Sequence, residues 1–263
     1  MLERKFHLYN LHDKGGWLLS PTYDDKFNSN FIQFGRTNFL DPWSDPAIHY
    51  HTTSQELYLV MHGELWLKVG DSSVVLKERN LLLVQPGIPH AVVGGKGSIQ
   101  HFGLKIPCIS DEKIVVREVT QYEKNSKPLF IDSKDLDPKE GFIADFTQDD
   151  YRNCWVFGFG IAKYLTDEFS LAYMVFKDEN EDTSLENYND YHLHNSSEEW
   201  YFTFKGSQEI LVNDENVVVS EGNLLRIGSG IPHKINKRQY PFEGMVLRAP
   251  LTRDDKVVVN LDL

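Results

Sequence analysis

The sequence predicts an all-β protein built from two similar barrel or sandwich domains in tandem, and three observations carry that reading. The first is a repeated set of ligand-type residues. His192 follows His49 by 143 residues, and the same interval separates His194 from His51, Glu199 from Glu56, Gly206 from Gly63 and His233 from His90. The second is that the repeat is gap-free and extends well past those residues. Ser54/Ser197, Tyr58/Tyr201, Val69/Val212, Asp71/Asp214, Glu78/Glu221 and Leu81/Leu224 match, and Gly87-Ile-Pro-His90 returns whole as Gly230-Ile-Pro-His233. Unrelated segments match at about one position in twenty, so this is an internal duplication. The third is periodicity: short β-branched or aromatic runs closed by Gly, Asp, Asn or Pro fill the chain, with almost no helical pattern.

Taken in order, His49-Tyr50-His51 places two imidazoles on one face of a strand and Tyr50 on the other, because side chains alternate with period two. Thr52–Gln55 is a polar interval long enough to reverse the chain and set Glu56, at the start of the next strand, beside both His. Gly63 is expected to end that strand in a tight turn. Runs at 64–71, 73–77 and 81–84 read as further strands, and Pro86-Gly-Ile-Pro89 as a turn that delivers His90. The second half repeats each step, with strands expected at 169–176 and 208–214. Between the halves the chain becomes charged and loses alternation, which gives domains at 1–115 and 141–263 with a surface connector at 116–140. The acidic run from Asp178 to Asp190 reads as a solvated loop.

Composition bounds the function. With 263 residues, 41% hydrophobic and 13% aromatic, each half can bury a core, and no run approaches the length of a membrane span. A net charge of −12 argues against nucleic acid or an anionic membrane as partner, since both need a basic face. The opening residues lack the apolar run of a secretory signal, so cytoplasmic residence is the default expectation. Cys108 and Cys154 stand in no metal or redox spacing and read as ordinary thiols. Six of the ten His belong to the repeated set; His62 and His101 are matched by Lys205 and Gly244 and read as local packing or surface residues.

Each half therefore presents a candidate metal site: His49, His51, Glu56 and His90 in the first, His192, His194, Glu199 and His233 in the second. Three neutral imidazoles and one carboxylate suit a divalent transition metal, two per chain: Fe, Mn, Ni, Cu, Co or Zn. Six-coordination would leave two positions open to water, oxygen or substrate. Tyr58 and Tyr201, two residues past each Glu, face the same side and are candidates to orient a substrate or move a proton. Lys105 and Arg248 occupy matched places where a cation would meet a substrate carboxylate. Arg226 replaces Leu83 in a matched strand, and Trp200 replaces Leu57; with Arg248 these point to the second half as the principal site.

The pattern His-x-His, four residues, Glu, six residues, Gly, followed far along by Gly-x-Pro-His, resembles the two motifs of the cupin superfamily, and its double occurrence resembles a bicupin. Arg79 departs from the resemblance where the second motif usually begins with Gly, as do Gln85 and Gly228 where it often has Pro. The resemblance implies two double-stranded β-helix, or jelly-roll, barrels with ligands pointing inward, and a small-molecule substrate entering at the mouth. It implies an iron-type dioxygenase of the quercetin-dioxygenase-like kind using O2, or a non-redox isomerase, decarboxylase, lyase or small-molecule-binding module. Homo-oligomerisation is compatible with either.

Overall fold

The computed structural model describes residues 6–11, 16–19, 29, 31–39, 43–125, 136–187 and 190–259. Its regular structure is almost entirely strand, and the chain divides into two compact units, Lys14–Asp150 and a second made of Met1–Asp13 with Tyr151–Leu263. Each unit is a jelly-roll barrel.

In the first unit two long strands, Gln55–Val69 and His90–Ile106, pair antiparallel along their length. Asn80–Val84 and then Gly141–Asp145 extend the sheet on one side of Gln55–Val69; Gln33–Phe39 and then Gly16–Leu19 extend it beyond His90–Ile106. Ala47–His51 pairs with the start of His90–Ile106 and with Lys113–Glu118. The second unit repeats this plan: Glu198–Val212 pairs with His233–Ala249, flanked by Asn223–Ile227 and Ser170–Phe176, while His192–His194 pairs with His233 and with Lys256–Val258. Gln55–Val69 and Glu198–Val212 share one burial pattern position by position, six buried residues and then alternation. Leu65, Leu67 and Val69, and their counterparts Ile210 and Val212, point into the cores, each such side chain stabilising the fold by about 1.5–3 kcal/mol.

Two sequence expectations are revised here. Gly63 does not end its strand. Gln55–Val69 runs through it, with register shifts on either side, and Gly63 is the bend at φ +80. A long strand serving both faces of a barrel must kink, and a glycine in the left-handed region does so without losing the ladder. A Cβ at Gly63 would lie 2.4 Å from Ser98 O, and one at Gly206 (φ +75) 2.4 Å from Gln239 O. We expect Gly63→Ala and Gly206→Ala each to cost about 3 kcal/mol or more, from strain plus a backbone clash, as read by denaturant unfolding. A loss below about 1 kcal/mol would show that the bend tolerates a side chain.

The second revision concerns boundaries. The sequence reading placed breaks around 116–140, but Gly141–Asp145 completes the first barrel by pairing with Asn80–Val84, and Phe6–Asn10 completes the second by pairing with Asn223–Ile227. Asp145 faces Asn80 and Asn10 faces Asn223, so the two arms fill the same place in the two barrels. Of the expected connector, Lys113–Glu118 is a strand that reaches into it and Gln121–Asn125 a short helix, while 126–135 lie outside the described residues. The acidic run also differs from a plain solvated loop: Asp182 is buried and bonds Arg238 at 2.6 Å.

Arg79, the departure at the turn before Asn80, takes φ +64, close to the +74 of its counterpart Gly222. The duplicated turn is therefore kept with a side chain in the left-handed region, at a cost of about 1 kcal/mol.

Candidate metal centres

Strand alternation brings His49 and His51 to one face, and pairing of His49 with His90 sets the third imidazole beside them. Glu56 enters from the neighbouring strand. Its Oε2 lies 3.7 Å from His49 Nε2, 2.9 Å from His51 Nε2 and 2.8 Å from His90 Nε2. In the second unit Glu199 Oε2 lies 3.8, 3.3 and 2.7 Å from Nε2 of His192, His194 and His233. All four residues of each group are buried, and their ligand atoms fall within 4.8 Å of one another. Metal bonds of about 2.1 Å put neighbouring donors about 3 Å apart, so the donor sets fit a divalent transition metal.

The far nitrogens fix the tautomers. Nδ1 of His90 donates to Ile88 O at 2.8 Å, Nδ1 of His192 to Asp190 O at 2.6 Å and Nδ1 of His233 to Ile231 O at 2.9 Å, which leaves Nε2 as the ligand atom. Burial would raise the Glu56 and Glu199 carboxyls, but the three imidazoles around each hold it well below the usual range, as an anion ready for a cation.

Behind His51 stands Glu112, with Oε1 3.6 Å from Nδ1; behind His194 stands Asp255, with Oδ2 3.4 Å from Nδ1. Both also staple the loop between the His pair and the Glu. Glu112 accepts from the backbone N–H of Thr53 (2.9 Å) and Ser54 (3.0 Å) and from the Ser54 hydroxyl. Asp255 accepts from the N–H of Ser196 (2.8 Å) and the Ser197 hydroxyl (2.5 Å). Burial raises both carboxyls, and these bonds more than reverse it. The sequence reading missed this pair, although Asp255 follows Glu112 by the same interval of 143. The Glu-to-Asp change hid it.

Each cluster opens on a cavity, of about 650 Å³ in the first unit and about 360 Å³ in the second. Tyr58 and Tyr201 line them as expected, each edge-on to the third His at 6.1 Å between ring centres. Burial and the adjacent carboxylate push both phenols well above their ordinary value. Arg248 lines the second cavity, and its buried Nε has no hydrogen-bond partner among the described residues. Lys105 lines the first but is engaged, 2.7 Å from Ile109 O and 3.4 Å from Glu112.

Arg226 is not brought to the cavity. Leu225 and Ile227 alternate into the core, so Arg226 faces the other way, ion-paired with Glu198 and 5.3 Å from the Trp200 ring. Trp200, one residue from Glu199, is fully buried on that same face. There Arg226 stands opposite His7 of the N-terminal arm, and it opposes the upward push that burial gives the Tyr9 phenol. The Leu-to-Arg change thus belongs to the docking of that arm. The cation that sequence reading missed is Arg238, which lines the second cavity with its guanidinium 4.9 Å from the Phe242 ring and tied to Asp182. His62 is exposed, whereas His101 is buried and lines the first cavity, a correction to its reading as packing or surface.

Residues 40–97 match the family described as Cupin domain. A comparison with curated proteins found no match. Among solved structures, the chain is similar to salicylate 1,2-dioxygenase from Pseudaminobacter salicylatoxidans, with TM-score 0.67 and 11% identity over 93% of this chain and 83% of that one. A mutant of that enzyme in complex with gentisate gives TM-score 0.69 at 11% identity, covering 93% of this chain and 82% of the other. A mutant oxalate decarboxylase from Bacillus subtilis gives TM-score 0.60 at 11% identity, covering 98% of this chain and 80% of the other. The fold is similar to that of these enzymes, and each half of the chain brings three His and one Glu together.

Proposed function

We propose that this two-barrel cupin protein is a metal-dependent enzyme acting on a small organic molecule, an iron-type dioxygenase whose second cavity takes a carboxylate with an apolar body. The observation that carries the reading is the pair of buried His3Glu clusters, each opening on a cavity of substrate size. A divalent metal held there supplies Lewis acidity and, when it is iron, redox chemistry towards O2.

The chain's own residues do the rest. Arg248 offers a planar fork to a substrate carboxylate, and Met174, Phe176, Ile235 and Val246 form apolar walls that exclude water. Tyr201 keeps its proton and donates it as a hydrogen bond to the substrate oxygen nearest Glu199. Salicylate and gentisate, named with the similar dioxygenase, are acids of this kind. Arg226 plays no part in this reading.

The test is oxygen uptake by anaerobically purified protein reconstituted with Fe2+ and offered aryl and alkyl carboxylates. We expect substrate-dependent uptake that a chelator abolishes while far-UV circular dichroism stays unchanged, because barrels of this size close without a metal. Turnover without uptake would move the chemistry to the non-redox alternative, an isomerase, decarboxylase or lyase. Collapse of the β signal on chelation would make the metals structural.

A further inference from the structure

The substrate-side wall of each barrel is a ladder between two strands, and the two ladders can be read rung by rung. In the first unit the inward rungs are Gln33/Lys105, Gly35/Gly103, Thr37/His101 and Phe39/Ile99. In the second they are Ser170/Arg248, Ala172/Val246, Met174/Gly244 and Phe176/Phe242. Lys105, Gly103, His101 and Ile99 precede Arg248, Val246, Gly244 and Phe242 by the interval of the repeat. The metal ligands were kept and the wall was not. Two facing glycines widen the first cavity where Ala172 and Val246 narrow the second, and Thr37/His101 stands where the second has Met174/Gly244.

His101 is 4% exposed, and its Nδ1 is buried with no hydrogen-bond partner among the described residues. A buried polar atom left unmatched destabilises, so a group in the cavity that matches it recovers that loss. Burial holds the imidazole down at about 4, against a smaller opposing effect of Glu56. It is therefore neutral at ordinary pH, with one N–H donor and one acceptor, the complement of a hydroxyl, which also does both. Asp45 lines the same cavity, with its Oδ2 accepting from the Val92 N–H at 2.8 Å. At the rim Trp43 stacks on Phe39 with ring centres 4.5 Å apart and 12° between planes, and Trp43 is 37% exposed. Such a platform takes the C–H face of a ring that carries its hydroxyls at the edge. Among the described residues a carboxylate finds no free inner cation, because Lys105 is engaged with Glu112; Lys113 stands exposed at the rim.

We propose that the first cavity binds an uncharged, hydroxyl-rich molecule of the sugar or polyol class, with His101 as its specificity-determining residue and the Phe39–Trp43 pair as its platform. The two barrels then serve different molecules. The inference goes beyond the proposed function, which concerns the second cavity, and does not require the first cluster to hold a metal.

The test uses full-length protein carrying His194→Ala, which disables the second centre, loaded with Co2+ and also metal-free. It is titrated by calorimetry with glucose, fructose, sorbitol and myo-inositol, and with benzoate and phenylacetate, while the Co2+ absorption bands are followed. At least one polyol should bind, and His101→Ala should weaken it about tenfold with metal content unchanged. His101→Gln should recover part of that affinity. Should His101→Ala not fold, Gly103→Val, which copies the second barrel's rung, must weaken the same polyol. No polyol binding, binding indifferent to both changes, or a first cavity that prefers the aryl acids would overturn the proposal. Polyol binding that depends on His101 in a protein that takes up no metal would leave this proposal standing and remove the metalloenzyme reading instead.

Discussion

His194→Ala is expected to lower bound metal from about two per chain to about one, and to cut turnover of a carboxylate substrate by about a hundredfold or more. His194 stands 3.3 Å from Glu199 with Asp255 3.4 Å behind it, so its loss removes a ligand and leaves a buried carboxylate short of a partner. Weakening even a bracing group behind a metal ligand costs about 10–100-fold in affinity, and losing the ligand itself costs more. His51→Ala should remove the other metal and spare carboxylate turnover, since Arg248 and the apolar walls belong to the second cavity. Elemental analysis after reconstitution, with single-turnover rates on the same samples, reads both numbers. A metal content near two in either variant, or equal rate losses in both, would end the assignment of one independent centre to each barrel.

Deleting residues 1–11 should damage the second barrel and leave the first intact. Phe6–Asn10 pairs with Asn223–Ile227, Leu11 is buried and its N–H bonds Gly222 O at 2.9 Å, and Arg226 faces this arm. Removal strips the ladder from that strand, whose other edge lies against the strand that carries Glu199. The cost is on the order of a few kcal/mol, a fall of about 10 °C for that unit, with an exposed edge prone to association. Calorimetry should show one of two transitions shifted, and metal loss confined to the second centre. Damage to the first centre, or no shift at all, would contradict the pairing. Cutting the chain within 116–140 is expected to harm both barrels, because the first then loses Gly141–Asp145 and the second loses Phe6–Asn10.

The eight ligands were legible because chemistry fixes them twice over. Metal geometry demands residue types at set strand positions, and duplication printed the demand again at one interval, as with His49/His192 and Glu56/Glu199. The inward aim of Tyr58 and Tyr201 followed from period-two alternation alone. Arg226 was expected at the second site and lies away from it: the sequence does not say which face of Asn223–Ile227 is inside, and it is Leu225 and Ile227 that are. Glu112 and Asp255 carried the interval but differ in type, and nothing local shows that each folds back onto a loop 58 residues earlier. His101 and Arg238 had no repeat partner to announce them; only the pairing of Thr37 with His101 and the ion pair with Asp182 place them in cavities.

By itself, then, the sequence determined what is periodic and local: two β barrels, two clusters of four ligands, and the faces those ligands share. The tertiary structure decided what depends on pairing over long separations. It assigned the terminal arm to the second barrel and Gly141–Asp145 to the first, turned Arg226 away from the cavity, and set the contrast between the two substrate walls. The physical reason is that strand alternation fixes a side chain's direction relative to its neighbours in sequence, whereas burial, cavity shape and partners are set by which strand lies alongside, and that choice is made by the whole barrel.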